Sequence, residues 1–184
     1  RIEGCASRGR AYELAREALK TMRPTDRVLV FTLANGIFPY GNVMYPDDAQ
    51  TALDEMEHDP LFKENVFISL HENNWWSHTE RLLKSLAAYE GHKQVLWFAS
   101  DFNPRTWSDE GVRHLGSWAH EGDATLYAVD TISESRGMPI LLHAFAEAGG
   151  GGVLTNFSER LSMADAMEQL EEGCAFQIAF SADG

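Results

Sequence analysis

Gly91-His92-Lys93-Gln94-Val95-Leu96-Trp97-Phe98-Ala99-Ser100-Asp101 decides the fold class of this chain. An apolar run that follows a helical pattern and stops at an acidic residue has the form of a buried parallel strand, delivering a carboxylate to the C-terminal edge of a sheet. The same grammar returns in Ala124-Thr125-Leu126-Tyr127-Ala128-Val129-Asp130. Two such strands put Asp101 and Asp130 on one rim, the edge at which open α/β sheets bind their ligands.

Helical and extended patterns alternate outward from these two runs. Ala11, Leu14, Ala15, Ala18, Leu19 and Met22 mark one helical face between Gly9 and Met22, which Pro24 ends. Residues Arg27 to Leu33 read as a strand, Asn35-Gly36 as a turn, and Ile37 to Met44 as an antiparallel edge strand. Asp47-Asp48 opens a short helix through Met56. Asp59 to Trp76 is irregular, a long loop with one short strand around Val66 to Leu70, and a helix capped by Ser77 or Thr79 then runs to Tyr89. Ser108-Asp109-Glu110 starts a helix closed by Gly122-Asp123, Pro139 to Ala148 forms another, Val153 to Asn156 a short strand, Ser162 to Glu171 a helix, and Ala175 to Ser181 a last strand. Strands alternating with helices at this spacing specify a parallel sheet covered by helices.

Composition narrows the partners. The chain has 184 residues, enough for one domain (1–184) with a single core, and 28 acidic residues against 15 basic ones give a formal charge of −13. No basic stripe is present to hold DNA, RNA or an anionic membrane. No apolar run approaches the roughly 20 residues that cross a bilayer, and the first residues lack a signal-peptide pattern. Both ends read as cut, with Arg1-Ile2-Glu3-Gly4 opening abruptly and the Ala175 strand running into the turn signal Asp183-Gly184. Cys5 and Cys174, the two cysteines, are either a disulfide pair or small buried hydrophobes.

Several motifs yield to plainer readings. Gly149-Gly150-Gly151-Gly152 follows a helix and precedes a strand, the reverse of a phosphate loop, and reads as a helix C-cap and turn. His71, Glu72 and His78 match no zinc spacing. Ser7, Ser77, Ser100 and Cys5 lack a nucleophile elbow, and His143 reads as a packed histidine rather than a general base. The Trp75-Trp76 pair has two readings, a satellite core under the irregular segment or an exposed anchor for a protein partner.

The order of elements and several strings resemble a von Willebrand factor A-type domain, in particular the VWFA-related Acidobacterial domain. The strings are Ala15-Arg16-Glu17-Ala18-Leu19 with Asp26-Arg27-Val28; Asn35-Gly36-Ile37 leading to Asp47 and Ala52-Leu53; Gly91-His92-Lys93; Leu126 to Asp130; and Phe145-Ala146-Glu147-Ala148-Gly149-Gly150. The resemblance implies a Rossmann-like open, mostly parallel sheet with helices on both faces and one antiparallel edge strand. It also implies a metal-ion-dependent adhesion site at the sheet's C-terminal edge, where Mg²⁺ takes hard oxygen ligands.

Glu3-Gly4-Cys5-Ala6-Ser7 falls where the family has D-x-S-x-S, Asp101 at its later aspartate, and Thr79 or Ser77 at its threonine. Cys5 puts a soft thiol where a hydroxyl belongs, so the metal set Glu3, Ser7, Thr79 and Asp101 is degenerate. The leading reading is a non-enzymatic module of this type that binds a protein or peptide at the rim through the strand-end carboxylates Asp101 and Asp130, with Trp75 and Trp76 as the other candidate contacts; an extracytoplasmic location is what the resemblance implies. The competing readings are a small α/β hydrolase or phosphotransfer-type enzyme using the rim aspartates, and a structural domain of a larger exported protein with no rim ligand.

Overall fold

A computed structural model describes residues 3–32, 38–39, 42–58, 74–99, 108–131, 140–154 and 162–174 of the chain. Among them β3 (Lys93–Ala99) pairs in parallel with β4 (Ala124–Asp130), from Lys93 opposite Ala124 to Ala99 opposite Asp130. A short β5 (Val153–Leu154) pairs in parallel with the far side of β4, giving the order β3-β4-β5. β4 runs to its expected end at Asp130, whereas β3 is described as far as Ala99, with Asp101 outside the described residues.

Parallel neighbours need crossovers long enough to carry a helix. Helix α4 (Asp109–Glu121) joins β3 to β4, and α5 (Ile140–Ala148) joins β4 to β5. The remaining helices are α1 (Glu3–Thr21), α2 (Pro46–His58), α3 (Asn74–Ser85, followed by a 3₁₀ turn at Leu86–Ala88) and α6 (Met163–Cys174). Their order and the parallel sheet make the molecule an α/β protein with an open sheet, compatible with a Rossmann-like arrangement.

Side-chain alternation along the strands separates two apolar layers. Val95, Trp97, Ala99, Ala124 and Leu126 pack with Trp76, Leu82 and Leu83 of α3, Leu115 and Ala119 of α4, and Phe145 of α5. Leu96, Phe98, Val129 and Leu154 instead meet Leu14 and Ala18 of α1 and Met163, Ala166 and Met167 of α6. From Ala124 to Val129, β4 is buried at every position, which explains why its sequence is a continuous run rather than an alternating one.

Four expectations change in detail. Helix α1 begins at Glu3 rather than Gly9, since a glycine inside a helix costs only about 1 kcal/mol and does not break it here. The residues from Arg27 form a bridge at Val28 with Met44 and a two-residue strand β1 (Phe31–Thr32). The antiparallel strand is β2 (Phe38–Pro39), paired with β1 in a separate two-stranded sheet; among the described residues it is not the edge of the three-stranded one. Helix α3 starts at Asn74, so Trp75 and Trp76 belong to a helix and not to the loop. The strands expected at Val66 to Leu70 and Ala175 to Ser181 lie outside the described residues.

The glycine tract is a helix stop and a packing surface, as its order implied. Gly149 N–H donates to Phe145 O, Gly151 N–H to Ala146 O, and Gly150 takes a φ of 81°. The tract then runs beside β4, with Leu126 N–H donating to Gly149 O (3.1 Å) and Ala128 N–H to Gly152 O (3.0 Å). A methyl group on Gly151 would overlap the Leu126 carbonyl, and one on Gly149 the Leu126 side chain.

Two glycine substitutions should therefore act in opposite directions. Gly151→Ala forces backbone apart at the central strand and should lower unfolding free energy by about 2 kcal/mol or more, the range of overpacking. Gly9→Ala, in open space on α1, should raise it by about 0.5–1 kcal/mol. Urea denaturation followed by circular dichroism checks both, and equal effects would contradict the packing described.

Candidate functional site

The C-terminal ends of β3 and β4 form the rim. Ala99 and Asp130 are directly opposed, and Thr131 N–H donates to Ala99 O at 3.0 Å, holding the two chains together one residue beyond the strands. Asp130 is half-buried and Thr131 is buried. Asp101 follows β3 by two residues in sequence and lies outside the described residues.

Because the strands are parallel, helices α4, α5 and α6 each follow a strand end, and their N-termini belong to this same side of the sheet. Partial positive charge gathers there. Ser108 caps α4 by accepting from Gly111 N–H (3.1 Å), with Asp109 and Glu110 in the first turn. Ser162 and Asp165 cap α6 reciprocally: Asp165 N–H donates to Ser162 Oγ (3.2 Å), while Ser162 N–H (2.9 Å) and its hydroxyl (2.8 Å) donate to the Asp165 carboxylate. Those bonds, the backbone one foremost, hold the Asp165 carboxyl below the usual carboxylate range. Ile140, opening α5 after the Asp130 strand, is 76% exposed.

The anticipated ligand set is only partly in view. Glu3 and Ser7 sit in the first two turns of α1, with side chains outside the described residues. Thr79 lies inside α3 and has no exposed surface, whereas Ser77, the alternative for the same role, is exposed. A hydroxyl enclosed in a packed helix face is not open to a hydrated Mg²⁺ ion, which keeps several waters. Among the described residues no group of three or more His, Cys, Asp or Glu is placed to hold a metal; the Glu3 and Ser7 side chains and Asp101 lie outside them.

Trp76 corrects the expectation of an exposed aromatic anchor. It is 8% exposed, tilted against Trp118 with ring centroids 6.5 Å apart, and pressed on Gly111, where any added methyl group would meet the indole. The satellite-core reading is the one that applies to it, because starting α3 at Asn74 turns residue 76 toward α4. The Trp75 side chain lies outside the described residues. So do those of Cys5 and Cys174, which sit on the packed pair α1 and α6.

A polar constellation at the opposite edge had no motif to announce it. His92 Nδ1 is 2.9 Å from Asp123 Oδ1, and its Nε2 is 3.0 Å from Thr125 Oγ1. The carboxylate only accepts, so Nδ1 carries a proton, and Nε2 pairs with the Thr125 hydroxyl, which can accept or donate. Asp123 adopts a φ of 47°, a left-handed turn conformation between α4 and β4. Hydroxyl, imidazole and carboxylate stand in the order of an acyl-transfer relay, with Thr125 only 7% exposed on the central strand. The group acts as a clamp across the starts of β3 and β4. The signal was the pairing itself: two parallel strands starting at Lys93 and Ala124 bring His92 beside Asp123.

Compared with protein-family models, curated proteins and solved structures, the chain finds no match in any of the three.

The hydrogen bond from His92 is the main cause holding the Asp123 carboxyl below its ordinary value of 3.8. A depressed carboxyl contributes stability that is present above the unfolded value and lost as pH falls through the lower folded one. His92→Gln should return the Asp123 carboxyl toward 3.8, read by carbon NMR titration, and should remove that part of the acid destabilisation. An unmoved titration in the variant would dismiss the clamp.

Proposed function

We propose that this chain is a non-enzymatic interaction module of the von Willebrand A type, which binds a protein or peptide partner at the C-terminal edge of its parallel sheet. The observation that carries the reading is the register: Ala99 opposes Asp130, so the half-buried Asp130 stands beside the strand that leads, two residues on, to Asp101. Helix N-termini follow each strand end on that side, and the exposed Ile140 opens the helix that follows the Asp130 strand. A mixed acidic and apolar rim suits a partner that brings a basic or amide-rich segment with one hydrophobic side chain.

The resemblance supports this reading through Glu3 to Ser7 at the start of α1 and Asp101 after β3. With Cys5 in place of a hydroxyl and Thr79 enclosed, the adhesion-type metal site is degenerate in this reading, and recognition rests on the protein's own groups. An extracytoplasmic location and a protein or peptide ligand belong to the same proposal. No helix of the described residues is long and apolar enough to cross a membrane.

Selection of peptides from a displayed random library on the whole chain tests the site. Peptides recovered on the unaltered protein should lose tenfold or more in affinity, about 1.4 kcal/mol, with Asp130→Asn or Asp101→Asn, and keep it with Lys20→Ala, an exposed residue at the end of α1. Peptides indifferent to both aspartate variants would move the site elsewhere.

Calorimetric titration of Mg²⁺ and Mn²⁺ into chelator-treated protein tests the metal. A degenerate site should give no saturable heat at millimolar ion, and saturable binding abolished by Asp101→Ala would show a working adhesion-type site instead.

A further inference from the structure

We draw no further inference here: the strongest candidate, the outer edge of β3 (Lys93–Ala99) in the three-stranded sheet, carries nothing because nothing among the described residues shows what covers it.

Discussion

Burial of β4 on both faces is the constraint from which the rest of the molecule follows. A strand with Leu126, Ala128 and Val129 all at zero exposure cannot face water on either side, so helices must cover both. Its backbone groups must also be met from both flanks. β3 meets them on one side, and on the other the glycine tract and β5 do so together. Parallel pairing in turn forces long crossovers, and the crossovers fix which sheet edge receives the helix N-termini together with Asp130 at the end of β4. The candidate site is thus a by-product of satisfying the central strand.

Close approach, rather than bulk hydrophobicity, sets several individual residues. Gly149 and Gly151 lie against Leu126, and Gly111 of α4 lies against the Trp76 ring of α3. In each case the missing side chain lets a neighbour reach van der Waals contact, where dispersion rises steeply with small gains in distance. Trp76 gains most from this, since a large ring brings much apolar area into the layer between α3, α4 and β3. Gly122 does the same for the Leu83 carbonyl at the other end of α4.

A second packing centre lies away from the parallel sheet. Tyr12 and Leu19 of α1 meet Ala49, Leu53 and Met56 of α2, with Val28, Val30 and Met44 completing the cluster. Arg16 ties the two helices from outside, reaching Asp54 at 2.8 Å and also Glu57. Exposed pairs of this kind contribute about 0–1 kcal/mol, so the apolar cluster holds α1 on α2 and the ion pairs align them. With its other face on α6 and β3, α1 is shared between both cores, which explains how a helix of modest amphipathicity containing Gly4 and Gly9 extends to 19 residues.

Local chemistry was enough for the α/β class, for the positions of β3 and β4, for helices starting at Ser108 and Ser162 and for the helix stop at the glycine tract. Each of these depends on neighbours in sequence: a run of strand-forming residues ended by an acid, a hydroxyl three residues before a free N–H, a glycine after a helix. The start of α3, the fate of Trp76, the enclosure of Thr79 and the separation of the β1-β2 pair from the larger sheet were not accessible in that way. They turn on which helix face meets which layer, a matter of long-range packing that overrides local propensity. The same holds for His92, Asp123 and Thr125, more than 30 residues apart along the chain from His92 onward and hydrogen-bonded only through strand register. By itself the sequence determined that a central strand would be buried and would end in a carboxylate at a sheet edge. Only the tertiary structure decided what stands beside that carboxylate, because neighbours across a parallel pair are chosen by register and crossover, not by proximity in the chain.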